Sequence, residues 1–168
     1  MKDVTNSTGN YKVTIIVPVY NEEESIYTLE EKLLHFLHHS ILSACVLFVN
    51  DGSKDSSLQK IIEICARNKH FFYLSLESNK GLSAALKAGI DSCCSEYVGY
   101  IDADLQTDPE DFNLLFKDIA DYEMVTGIRV NRKDSFFKKL QSKIANSYRR
   151  MMTHDDVSDT GCPLKVMH

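Results

Sequence analysis

Apolar and polar positions alternate along the chain in blocks of two kinds. Residues 13–20 (VTIIVPVY) form an unbroken apolar, β-branched run, the pattern of a strand buried on both faces of a parallel sheet. The following NEEES offers Asn21 as a helix N-cap and places glutamates in the first turn of a helix whose apolar side carries Ile26, Leu29, Leu33 and Leu37. A second strand over 45–49 ends in the turn NDGS and leads to a helix with Leu58, Ile61, Ile62 and Cys65 at helical spacing. The unit then repeats as a strand over 71–76, a polar loop ESNKG and a helix over about 82–93. A fourth strand spans 97–101, and Pro109 suits the first turn of a helix carrying Phe112, Leu115, Phe116 and Ile119. A short fifth strand (EMVTG) precedes a basic helix.

Five strands alternating with helices predict a doubly wound α/β sheet. In such sheets ligands bind beyond the carboxyl ends of the strands. The unusual polar clusters all fall there: Tyr20 to Glu22, Asn50 to Ser53, Asn79 to Gly81, and Asp102 to Gln106.

Composition narrows the class without changing this picture. A chain of 168 residues, 43% hydrophobic and 26% charged, suits one soluble domain with its own core. No apolar run approaches the roughly 18 residues of a membrane span, and the N-terminus lacks the apolar centre of a signal peptide, so a cytoplasmic location is expected. The five cysteines include no C-x-x-C pair and read as reduced, buried thiols. His35, His38 and His39 lie near a helix end, where cations suit the dipole, and no metal role is expected of them.

Charge does change the picture. Between Arg129 and Arg150 eight basic residues face a single acid, a local excess of seven positive charges in a chain of net charge −5. Such asymmetry suggests an anionic partner for that end. Over 134–152 the apolar residues Phe136, Phe137, Leu140, Ile144, Tyr148 and Met152 fall largely at helical intervals. That stretch reads either as a helix packed on the sheet or as a peripheral contact with an anionic membrane surface and a lipid phosphate. No nucleic-acid-binding motif accompanies the charge, so no nucleic-acid partner is expected.

The acidic stretch YIDADLQTDPED carries the candidate chemistry. Asp102 and Asp104 are two residues apart at a strand end, so both can approach one ion, and hard oxygen ligands of this kind suit Mg²⁺ or Mn²⁺. Gln106 could add a neutral oxygen, whereas Asp108 reads as the N-cap before Pro109. The alternative is a solvated acidic loop that caps the next helix. Neither G-x-G-x-x-G nor G-x-x-x-x-G-K-[ST] occurs, which argues against a nicotinamide enzyme and a P-loop ATPase. A nucleotidyltransferase shares the α/β plan but relies on a glycine-rich phosphate loop near its start, which is also missing. Asp51 reads either as an acceptor for a ribose or base edge or as part of a plain Asp-Gly turn, and Asn79 is similarly ambiguous.

IIVPVYNEEESI, VNDGSKDSS, NKGLSAALKAG and YIDADLQTDPED closely resemble, in order and spacing, the family 2 glycosyltransferases of the GT-A fold. The continuation from Thr126, with DDVSDTGCPLKV, resembles the branch of dolichol-phosphate mannose synthases and bacterial polyprenyl-phosphate glycosyltransferases. The resemblance spans Val13 to about Val166. It implies a GT-A, Rossmann-like, mostly parallel sheet in a single catalytic domain over 1–168. Residues 1–12 would be flexible, 13–128 the nucleotide-sugar-binding core and 129–168 the start of an acceptor-side region.

The same resemblance implies that Pro18, Tyr20, Glu22, Asp51 and Asn79 line a nucleotide pocket. Asp102, Ala103 and Asp104 occupy the D-x-D position, with Asp104 and Gln106, and Asp102 beside them, as metal ligands. Arg129 matches a basic residue near the phosphates, and Asp159 an acidic position by the reacting centre, acting as a positioning group or weak base. The expected reaction is inverting transfer from a UDP- or GDP-sugar to a polyprenyl phosphate, or alternatively to a saccharide, in cell-envelope glycan synthesis at the cytoplasmic face of the membrane. Relatives of this branch commonly continue beyond the point matching His168, so a truncated core is expected, and a binding module inactive without that continuation is the competing reading. Pro163 stands where a small flexible residue such as glycine is expected.

Overall fold

The computed structural model describes residues 4–128 and 162–168. A short helix α1 (Val4–Thr8) precedes strand β1 (Val13–Val19), followed by α2 (Ile26–His39), β2 (Ala44–Asn50), α3 (Ser57–Arg67), β3 (Phe71–Ser75), α4 (Leu82–Asp91) and β4 (Tyr97–Tyr100). A 3₁₀ turn (Pro109–Asp111) runs into the short helix α5 (Phe112–Leu115), and the strands β5 (Met124–Thr126) and β6 (Lys165–Met167) complete the sheet. The strand order is β3-β2-β1-β4-β6-β5. β1 lies parallel to β2 and β4, β2 lies parallel to β3, and β6 runs antiparallel to β4.

The unbroken apolar runs behave as expected of central parallel strands. Every residue of β2 is buried, and in β1 only Pro18 is partly exposed. Helices cover both faces, because a parallel crossover must pass over the sheet to return. Gly89 of α4 lets that helix approach closely, since a Cβ there would stand 2.9 Å from Ile16 and 3.1 Å from Val49. Helix α2 buries Ile26, Leu29, Leu33 and Phe36. It also buries the Glu30 carboxylate, which accepts from Arg67 Nε at 2.9 Å and Asn68 Nδ2 at 2.8 Å. A buried carboxylate is tolerated only when paired in this way, and the pairing ties α2 to the end of α3.

Several sequence expectations need correction. Asn21 does not cap α2: it sits at φ 55, and the helix begins after Ser25. Phe36 takes the buried position that the spacing assigned to Leu37. The helix expected from Pro109 through Ile119 is a 3₁₀ turn plus one α-helical turn. Beyond it the backbone tightens, with Lys117 N and Asp118 N bonding three residues back to Leu114 and Leu115. Its apolar set is nonetheless buried, and Phe36, Phe112 and Phe116 form a ring cluster with centroids 5.6 to 6.2 Å apart. That cluster anchors the segment following the acidic loop against α2.

A sixth strand, β6, lies between β4 and the expected fifth strand. The N-terminal dozen residues, read from sequence as a flexible lead-in, include α1 and Tyr11, whose phenol lies 2.9 Å from His70 Nδ1. Cys45, Cys65 and Cys162 are buried as expected, but Cys94 is exposed. Burial pushes the Cys45 thiol up to about 12 and Cys93 up to about 11, so neither is a ready nucleophile. Among the described residues, no helix is long and apolar enough to cross a membrane.

Candidate functional site

The loops leaving the carboxyl ends of β1, β2 and β4, with the segment leading into α4, enclose a cleft of about 310 Å³. Pro18, Val19, Tyr20, Glu22, Asp51, Asn79, Gly81, Leu82, Ala85, Asp102, Ala103 and Asp104 line it. It therefore brings together the five residues expected in a nucleotide pocket and the three at the D-x-D position, although they come from four separate segments of sequence. Gln106 is exposed on the loop and does not line the cleft. Arg129, Asp159 and the basic segment 129–152 lie outside the described residues.

Side chains lace the first two loops together. Asn21 Oδ1 accepts from Lys54 N at 2.8 Å, and Asn21 N donates to Ser53 Oγ at 3.1 Å. Glu22 N donates to Ser57 Oγ at 2.8 Å, Glu23 N to Asp55 Oδ2 at 3.1 Å, and Ser56 N to Glu23 Oε2 at 3.0 Å. The left-handed Asn21 is the bend that makes this lacing possible, and asparagine tolerates that backbone better than most residues. The Glu22 carboxylate is oriented by Ser25 Oγ, which donates to Oε2 at 2.9 Å.

Asp51 resolves into a role that neither sequence reading contained. Its two carboxylate oxygens accept from Lys80 N and Gly81 N, each at 2.8 Å, so a buried charge at the tip of β2 clamps the loop entering α4. Gly52 makes the clamp possible: it adopts φ +66, and a Cβ there would lie 2.5 Å from the Ser78 carbonyl carbon. Only glycine combines that backbone with so close an approach. Gly81 falls in the Asn79–Gly81 cluster already placed at the strand ends, whereas Val19 of β1 was not expected in the cleft and Leu82 and Ala85 were missed because they enter it through this long-range contact. The signal that could have found them is NKGLSAALKAG itself, whose glycine stands at the helix start where backbone amides are free.

The loop after β4 has a different character. Asp102 Oδ1 accepts the Tyr100 phenol, and burial together with the Asp102 carboxylate pushes that phenol well above its ordinary value, so it stays a donor. Asp104 is exposed; its Oδ1 accepts from Gln106 N at 3.0 Å across Leu105, which is held at φ 63. A leucine in the left-handed region is strained, and strain of this kind gathers at functional loops. Each aspartate keeps a second oxygen without a hydrogen-bond partner among the described residues. Two such carboxylates form an all-oxygen donor set that fits Mg²⁺ or Mn²⁺. As expected, Asp108 caps the following turn, accepting from Glu110 N at 3.1 Å ahead of Pro109.

Comparison with known proteins agrees with this geometry. The family described as Glycosyl transferase family 2 matches residues 14–167. Undecaprenyl-phosphate 4-deoxy-4-formamido-L-arabinose transferase of Pectobacterium carotovorum subsp. carotovorum (strain PC1) is 36% identical over 156 residues, covering 92% of this chain and 48% of that protein. The chain thus spans about half the length of the curated relatives it matches.

Among solved structures, glucosyl-3-phosphoglycerate synthase from Mycobacterium tuberculosis with phosphoglyceric acid superposes with a TM-score of 0.72 at 14% identity, over 98% of this chain and 59% of that one. The same enzyme with Mn²⁺, UDP-glucose and phosphoglyceric acid gives 0.70 at 13% identity, with the same coverage. The mannosyltransferase PcManGT from Pyrobaculum calidifontis, with GDP-mannose and Mn²⁺, gives 0.64 at 19% identity, over 94% and 44% of the two chains. At these identities the likeness shows the fold, which is GT-A. A matched family spanning nearly the whole sequence, on a GT-A sheet with its polar clusters gathered at the strand ends, shows that the chain belongs to glycosyl transferase family 2.

Proposed function

We propose that the chain is the nucleotide-sugar-binding core of an inverting, divalent-metal-assisted glycosyltransferase that moves a sugar from a UDP- or GDP-linked donor to a polyprenyl phosphate. The observation that carries this reading is the convergence of Tyr20, Glu22, Asp51, Asn79, Asp102 and Asp104 on one cleft at the switch in strand order beside β1. Relatives and neighbours support the chemistry. Those in Pectobacterium are named for transfer to undecaprenyl phosphate, and the two solved enzymes hold nucleotide sugars with Mn²⁺.

In this reading the half-exposed Tyr20 ring and the Asp51 side of the cleft receive the nucleoside, and the acidic loop faces the diphosphate. Asp102 and Asp104 hold Mg²⁺ or Mn²⁺, with Gln106 the next oxygen donor along the loop. When bound, such an ion offsets the charge that builds on the departing diphosphate. Arg129 adds positive charge to the same leaving group. Direct displacement at the anomeric carbon inverts its configuration. A polyprenyl phosphate, with a second pKa near ~6, is already largely dianionic at neutral pH, so no strong base is needed and Asp159 positions the acceptor. The basic segment 129–152 brings the protein to an anionic membrane surface at its cytoplasmic face.

Thermal denaturation with nucleoside diphosphates, with and without Mn²⁺, combined with transfer of labelled sugar to undecaprenyl phosphate, tests the reading. Stabilisation by UDP or GDP that requires Mn²⁺ and vanishes in Asp104→Ala is the expected result. Equal stabilisation of the variant would overturn the metal assignment, and binding without transfer to any acceptor would reduce the chain to a donor-binding module.

A further inference from the structure

Away from the cleft, the last turn of α2 meets the 3₁₀ turn at Pro109–Asp111 through three side chains that can all donate to a metal. His35 and His39 lie one helical turn apart, with ring centroids separated by 4.3 Å. Glu110 reaches over from the 3₁₀ turn, with Oε1 2.6 Å from His35 Nδ1 and 4.0 Å from His39 Nδ1. One ligand atom from each of the three lies within 4.8 Å of the other two. We propose that His35, His39 and Glu110 form a second metal site, separate from the acidic loop, that takes a borderline divalent transition ion such as Zn²⁺.

Three features favour an ion over a simple surface ion pair. The ligands are two imidazoles and one carboxylate, a set that selects Zn²⁺, Ni²⁺ or Cu²⁺ and disfavours Mg²⁺, in contrast to the all-oxygen aspartates of the cleft. The carboxylate is braced from outside, since Glu110 Oε2 accepts from Asn113 Nδ2 at 3.2 Å. Partners of this kind orient metal ligands. The backbones are also fixed relative to one another, because Phe36 and Phe112, each next to or near a ligand in sequence, are both buried and pack their rings 5.6 Å apart at a tilt of 46°. Tetrahedral bonds of about 2.0–2.1 Å need ligand atoms roughly 3.3 Å apart, a spacing that small rotations of these exposed side chains supply. The histidines are 65% and 60% exposed, which leaves room for water at the remaining coordination positions. The ion would staple α2 to the segment that follows the acidic loop. Sequence alone assigned the two histidines to the helix dipole, since nothing in it brings Glu110 to them across 75 residues.

Zn²⁺ titration by calorimetry on the Asp104→Ala protein, which removes a ligand from the cleft, tests the site. One Zn²⁺ per chain is expected, with affinity at least tenfold weaker in His39→Ala and in Glu110→Gln, and with Mg²⁺ failing to compete. Co²⁺ bound in place of Zn²⁺ should give visible bands without thiolate charge transfer, which separates this site from the exposed Cys94. Unchanged Zn²⁺ affinity in His39→Ala, or a thiolate band in the Co²⁺ spectrum, would overturn the proposal. The metal-free melting temperature of each variant shows that its fold is intact. Because Asp104 is absent throughout, the result stands apart from the function of the cleft.

Discussion

The two sides of the cleft are built on opposite principles. On the side of β1 and β2, the loops are laced by hydrogen bonds between residues more than thirty positions apart, and the buried Asp51 carboxylate has an amide on each oxygen. On the side of β4, the part-buried Asp102 and the exposed Asp104 precede a strained leucine, and their few hydrogen bonds are local. One side is finished before any ligand arrives; the other holds charge that a ligand would neutralise. Substitutions on the laced side should therefore cost stability, and those on the acidic side should chiefly cost binding.

The sharpest test of that division is Gly52→Ala. It places a Cβ against the Ser78 backbone at a positive φ, and a loss of about 3 kcal/mol in denaturant unfolding is expected. A cost below 1 kcal/mol would mean the Asn79 loop is not clamped. Next comes Asp51→Asn, which turns an amide nitrogen toward one of the two backbone donors and should cost about 2 kcal/mol by the same measurement.

On the acidic side Leu105→Gly should instead raise stability by about 1 kcal/mol, because glycine accepts the left-handed backbone without strain. Asp104→Ala should shift metal-free stability by less than about 0.5 kcal/mol, as an exposed residue, while abolishing the Mn²⁺-dependent response to nucleotide. A large loss of fold in Asp104→Ala would erase the distinction between the two sides.

The smallest effect concerns pH. The Tyr100 phenol is harder to ionise in the folded chain than in the unfolded one, so its contribution is complete below its ordinary value near 10 and is lost as the pH rises above it. Tyr100→Phe should lower the melting temperature slightly at neutral pH, where the phenol's bond to Asp102 is lost, and flatten its fall on the alkaline side. An unchanged alkaline limb would show that Asp102 is held by something other than this phenol.

The same contrast explains what could be read from sequence. The central strands were legible because β1 and β2 are buried on both faces and so need unbroken apolar runs, a local signal. The position of the acidic loop was legible because the apolar run before it marks a strand, which puts Asp102 and Asp104 at the strand's end. The clamp was not, since Asp51 meets Lys80 and Gly81 only after the chain has crossed over through α3 and returned along β3. Asn21 looked like a helix cap because its neighbours in sequence suggested one, and contacts 32 and 33 residues away overrode them. The spacing of Phe112, Leu115, Phe116 and Ile119 correctly marked a buried face, but three-residue and four-residue hydrogen bonding present nearly the same face over so short a span. Three residues of β6 carry no pattern of their own, and they become a strand only because β4 offers an open edge.

That late strand bears on how the protein is made. Val98, Gly99 and Tyr100 pair with Met167, Val166 and Lys165, so the flank of the strand that delivers Asp102 stays unzipped until some sixty-five further residues have left the ribosome. During that interval a nascent chain would expose raw backbone just where the acidic loop begins, a vulnerable stage for mispairing with a neighbour.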